Sequence, residues 1–80
     1  MILRGHFLID EHDFTGLKCP LPVLKAKRVI KAMKKGDYHK FLSDDLGSPI
    51  DFSHLCEIEN LELSITENKK IYTFLIRKRD

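Results

Sequence analysis

The sequence is short of the residues on which several common kinds of small protein depend. Two cysteines, Cys19 and Cys56, are too few for the disulfide framework of a small secreted domain, and in the cytosol they would stay reduced as separate thiols. No apolar run approaches the length of a membrane span. The opening "MILRGHFLIDEHD" interrupts its apolar residues with Arg4, His6 and Asp10, unlike a secretory signal. There is no glycine-rich phosphate loop, no CxxC pair and no hydrolase signature. His54 and Cys56 stand two apart and His12 stands seven before Cys19, spacings that do not close a zinc site, so the histidines read as surface or structural residues. No metal, cofactor or membrane contact is expected, and the expected location is the cytoplasm.

What is present fits one small domain over residues 1–80. The apolar share of 42% is enough for a thin core, and the charged share of 32% is ordinary for a globular chain. A chain of this size cannot enclose a large substrate and keep a core, so any chemistry should lie near the surface. Net charge is only +2, but Lys18, Lys25, Lys27, Arg28, Lys31, Lys34 and Lys35 are half of the 14 basic residues, and no acid interrupts them.

Periodicity gives the order of elements. Phe7 to His12 reads as a strand of uncertain register. From Pro20 to Lys35, Val23, Ala26, Ile30 and Met33 recur at helical spacing, and Gly36 marks the stop, with Lys34 and Lys35 suited to the negative helix end. "YHKFLSDD" reads as a second strand. Ser48 followed by Pro49 predicts a helix start with Ser48 as N-cap, Asp51 complementing the dipole, and Phe52, Leu55 and Cys56 buried on a short helix through Ile58. Leu61, Leu63 and Ile65, then Tyr72, Phe74 and Ile76, alternate with other residues on two strands joined by a turn at "ENKK". Strand, helix, strand, helix, strand, strand packs most simply as a two-layer α+β sandwich.

The unusual position is Cys19, in "TGLKCPLPVL". Placed as the cap of the first helix, with Pro20 and Pro22 in the first turn and Lys18 beside it, a thiol should ionise readily and point outward. The plainer alternative is a small hydrophobe closing a loop onto the core. Cys56, on the apolar side of its helix, reads as inert. The basic helix is either a solvated face or a steering surface for an acidic partner; without interleaved aromatics, direct nucleic-acid binding is not indicated.

"DFTGLKCPLPVLKAKRVIKAMKKGD", "SDDLGSPIDFSHLCEIENLEL" and "IYTFLIRK" together resemble the TusA-type sulfur carrier family, also called SirA-like or YedF-like. The likeness runs from Asp13 to Lys78. It centres on the Cys-Pro-x-Pro of Cys19, Pro20, Leu21 and Pro22, preceded by Asp13 and Gly16. Leu46 replaces a proline common after the paired acids Asp44 and Asp45, and Leu21 stands where members acting in tRNA thiolation often carry an acid.

The resemblance implies a βαβαββ fold, with both helices on one face of a mixed four-stranded sheet. It also implies a sulfurtransferase that carries sulfane sulfur as a persulfide on Cys19, its catalytic residue. Gly16, Pro20 and Pro22 would support the motif, Lys18, Lys25 and Arg28 would meet a partner, and Asp13, Asp44 and Asp45 are secondary candidates. A cysteine desulfurase or rhodanese-type donor, a downstream acceptor protein and a monomeric carrier are expected. Two rivals stand beside this reading: a regulatory module that binds acidic protein or RNA through the basic face, and a redox protein cycling Cys19 with Cys56 or a small thiol.

Overall fold

Period-two alternation in the second half of the chain builds most of the sheet, and the first strand joins its far side. In the computed structural model, which describes residues 9–79, the elements are β1 (Asp10–Asp13), α1 (Leu21–Ala32), β2 (Tyr38–Ser43), α2 (Ser48–Ile58), β3 (Leu61–Asn68) and β4 (Ile71–Lys78). This is the expected order. Of the expected first strand, Phe7 and Leu8 lie outside the described residues. The sheet runs β1-β2-β4-β3, with β1 parallel to β2 and the other pairs antiparallel. It is therefore mixed.

Register decides which side chains meet. Phe41 pairs with Phe74, and Leu63 with Ile76, so these residues point to one face. On that face Ala26, Ile30 and Met33 of the α1 segment and Phe52, Leu55 and Cys56 of α2 join Phe41, Leu61, Phe74 and Ile76 in a single core. Val23, the fourth residue of the predicted stripe, is half-buried against it. Phe52 stacks on Phe74 at 4.1 Å between ring centroids. His12 is structural: its ring stacks on Phe41, and Nε2 lies 2.9 Å from Nδ1 of His39. Burial and the neighbouring His39 hold the His12 imidazole below its usual pKa.

Several boundaries differ from the sequence reading: β2 ends at Ser43 rather than at Asp44 and Asp45, α1 begins at Leu21 rather than Pro20, and three further differences have local reasons. Helix α1 stops at Ala32 because Met33 turns extended to reach the core, and the Lys34 N–H bonds the Asp37 carboxylate at 2.9 Å. Its negative end is met by Lys78 of β4, whose Nζ donates to the carbonyls of Ile30 and Met33 at 3.4 and 3.1 Å, rather than by Lys34 or Lys35. In α2 the capping position belongs to Gly47, not Ser48, whose hydroxyl is 2.6 Å from the buried Ser43 hydroxyl instead. The hairpin turn narrows to Lys69 and Lys70, both at positive φ, as a tight two-residue connection requires. Among the described residues no helix is long and apolar enough to cross a membrane.

Candidate functional site

Parallel pairing of β1 and β2 sends the chain out of both strands at the same sheet edge, so the loops that follow them meet. Asp13 begins the first loop with Oδ1 accepting from the Thr15 N–H at 3.0 Å and the Thr15 hydroxyl at 2.6 Å, bonds that hold its carboxyl below the usual carboxylate range. Gly16 follows at a φ of 88°, a conformation that costs glycine little, and its N–H donates to Oδ1 of Asp44 at 3.0 Å. In the second loop Asp45 turns its Oδ2 onto the Gly47 N–H at 2.9 Å, while its own N–H donates to the Ser43 hydroxyl at 3.2 Å. Two short acidic turns, stitched together and anchored on the buried serine pair, thus frame one spot.

Cys19 occupies that spot. It is exposed, and its thiol donates to Oδ2 of Asp51, in the first turn of α2, at 2.7 Å. The arrangement departs from the helix-cap expectation in two ways. Helix α1 begins at Leu21 with Pro20 in the capping position, so Cys19 lies one residue outside it. Few N–H groups are also left to stabilise an anion there: the Leu21 N–H bonds the Lys18 carbonyl, the Leu24 N–H bonds the Pro20 carbonyl, and Pro20 and Pro22 have none. The hydrogen bond to Asp51, followed by desolvation and the charges of Asp51 and Asp45, pushes the Cys19 thiol above its ordinary pKa, the opposite of the direction expected from the helix dipole. Cys56 is buried and its thiol is pushed up to about 11 by desolvation.

The structure brings Asp13, Gly16, Cys19, Asp44 and Asp45 together. Pro22 is buried at the start of α1 and Pro20 is exposed beside the cysteine. Lys18, Lys25 and Arg28 are exposed, and no hydrogen bond or ion pair among the described residues ties them to this site. Sequence reasoning missed the roles of Asp51 and Gly47. Asp51 was legible only as a complement to the helix dipole, because its bond to Cys19 spans 32 positions. Gly47 carries no local turn signature, yet a Cβ added there would sit 3.1 Å from Oδ2 of Asp45 and 3.4 Å from both Cβ and Sγ of Cys19. Gly47→Ala should therefore shift the Asp45 carboxylate by a few tenths of an ångström, leave Cys19 in ordinary contact with the new methyl group, and change stability by less than about 1 kcal/mol. Thiol titration followed by ultraviolet absorbance should find Cys19 titrating as in the wild type, because its bond to Asp51 is kept, and a shifted titration would show that the methyl group pushes the thiol away.

Comparison with known proteins adds an independent line. The sequence model of the family described as "Sulfurtransferase TusA" matches residues 11–78. The chain is 37% identical over 68 residues, covering 84% of it and 92% of the relative, to a protein of Neisseria meningitidis serogroup A that is named provisionally as a sulfur carrier protein. It is 40% identical over 71 residues, covering 86% of it and 92% of the relative, to the sulfur carrier protein TusA of Allochromatium vinosum. Among solved structures, a SirA-like protein of Desulfitobacterium hafniense superposes with a TM-score of 0.78 over 90% of this chain and 100% of the other, at 19% identity. That last likeness concerns the fold, which it matches as a mixed α+β sandwich.

Proposed function

This chain belongs to the TusA sulfurtransferase family and has a sulfur carrier's role, and from that premise we propose that Cys19 is the atom on which the sulfur travels, as a persulfide. The observation that supports this is the contrast between the two thiols. Cys19 is exposed on a loop held by five polar residues, whereas Cys56 is enclosed by the core. Cys19 Sγ attacks the outer sulfur of a donor persulfide; a new S–S bond forms at Cys19, the donor's S–S bond breaks, and the donor leaves as a thiol with the proton that Cys19 gives up. An acceptor thiol then repeats the exchange on the loaded carrier. No cofactor is required by either step.

A sulfur carrier has a donor and an acceptor, and the donor fits a cysteine desulfurase or a rhodanese-type protein, which hold sulfur in this form. Lys18, Lys25 and Arg28 lie exposed on and before α1, available to orient an acidic partner as the loop of Cys19 enters the donor's site. The carrier acts as a cytoplasmic monomer. A redox cycle between the two cysteines is disfavoured by the burial of Cys56, and a purely basic docking module leaves the framed thiol without a purpose.

The test is to incubate the reduced protein with a cysteine desulfurase and cysteine, record intact mass without reductant, and map the added sulfur on alkylated peptides. Gain of one sulfur atom, found on the peptide containing Cys19 and removed by a thiol, is the expected result. No gain from several donors, or sulfur found on Cys56, would overturn the reading.

A further inference from the structure

A sulfur carrier must both take and give, and the groups around Cys19 bear unequally on its two states. In the unloaded protein the thiol proton lies in a 2.7 Å bond to Oδ2 of Asp51. In the loaded state a persulfide, a stronger acid than its parent thiol, puts negative charge on an outer sulfur one S–S bond of about 2 Å beyond Sγ. That charge lies within about 5 Å of the Asp51 carboxylate, close enough for repulsion at an exposed site to be felt through solvent. Asp45, whose Oδ2 is turned toward the same spot near Gly47, adds to it.

The remaining surroundings compensate in part: the positive end of α2, capped by Gly47 beside Cys19, favours an anion there. Asp44 is engaged by the Gly16 N–H, and Asp13 by Thr15. On the α1 side the Leu21 and Leu24 N–H groups are bonded to backbone carbonyls and the two prolines contribute no donors, which leaves the Val23 N–H of the first turn. Lys18 is the cation adjacent in sequence, and Lys25 and Arg28 follow on the exposed surface of α1, none of them bonded to the site.

We propose that Asp51, assisted by Asp45, biases Cys19 toward release: its carboxylate stabilises the empty carrier by holding the thiol proton and destabilises the loaded carrier by facing its anionic outer sulfur. The proposal rests on the reading that Cys19 carries the sulfur. The exchange it modulates is balanced as Cys19–SH plus R–S–SH giving Cys19–S–SH plus R–SH. The Cys19 sulfur is oxidised, the donor's inner sulfur is reduced to a thiol, and the proton that leaves the Asp51 bond ends on the departing donor. Asp51 touches the reacting atom and shifts the position of this equilibrium rather than the identity of the products. A carrier made in this way rests empty and yields its sulfur to any acceptor that surrounds the persulfide with better donors.

The experiment equilibrates the wild-type protein, Asp51→Asn, Asp51→Glu and Asp45→Asn with mixtures of glutathione persulfide and glutathione, and reads the loaded fraction by intact mass. In parallel, alkylation of unloaded Cys19 by iodoacetamide is followed across pH, with Cys56 left in the core. Asp51→Asn should hold about fivefold more sulfur at a given persulfide-to-thiol ratio, and its alkylation profile should move to lower pH. Asp51→Glu should return both readouts toward wild type, and Asp45→Asn should move them in the same direction by less. Asp45→Asn carries the test alone if Asp51→Asn does not fold by circular dichroism. Loading with an unchanged partition, or an unmoved alkylation profile, overturns this inference and leaves the carrier reading intact. Failure of every protein to load overturns both.

Discussion

Replacing Cys19 by serine should abolish sulfur loading from every donor and leave the fold in place, while Cys56→Ser should load as wild type does. The asymmetry follows from burial. Cys19 is exposed, and serine keeps a hydroxyl donor for the Asp51 bond, so the loop should lose the proposed nucleophile without losing its geometry. Cys56 is 3% exposed and contributes packing only, so exchanging its thiol for a hydroxyl costs about 1–3 kcal/mol from the polar group set among apolar neighbours. Intact mass after donor treatment separates the two variants, with circular dichroism confirming that each is folded. Loading retained by the Cys19 variant would send the search to Cys56 and to a mobile core, and the whole account of the site would fall.

Phe52→Ala has the largest expected effect on stability. The ring is fully buried, stacked at 4.1 Å and 4° on Phe74 and 6.0 Å from Phe41, so it joins α2 to both central strands at the middle of the core. Its loss leaves a cavity that a two-layer domain of this size has little material to refill, at a cost of about 3–5 kcal/mol. That is a large fraction of the stability of an 80-residue protein. Urea denaturation should show the midpoint falling to low denaturant, or the variant already unfolded in buffer. Since α2 carries Asp51, a partly folded variant should also show Cys19 with a pKa nearer that of a free thiol. A loss below about 1.5 kcal/mol would mean that the aromatic stack is not what holds the helices to the sheet.

The fold was readable where the pattern is periodic, and less so where distant residues meet. Leu61 to Ile76 alternate cleanly, and Ala26 and Ile30 mark the buried side of α1, with Met33 just past its end, so the order of elements and the two-layer packing follow from spacing. The end of α1 did not, because Lys78, 45 positions beyond Met33, takes over the last carbonyls. The site divided in the same way. Cys19 was conspicuous as a cysteine before two prolines, and the acids around it were visible as candidates. Its protonation was read with the wrong sign, because a dipole argument uses neighbours along the chain, whereas Asp51 and Asp45 reach the thiol from another loop. Gly47 escaped notice for a similar reason: it makes room for another loop rather than a turn of its own.

The stitching of the two loops bears on whether the chemistry is portable. Gly16 reaches Asp44 across 28 positions and Cys19 reaches Asp51 across 32. A synthetic peptide of residues 13–24, or that stretch grafted onto another scaffold, would keep the cysteine, both prolines and the neighbouring lysine, yet none of the carboxylates that set the thiol's acidity from the second loop. Its cysteine should ionise at a lower pH than in the protein and, on the release bias proposed above, should hold sulfur more firmly. The transferable unit is therefore the pair of crossing loops with the parallel strands beneath them, and not the Cys-Pro-Leu-Pro sequence by itself.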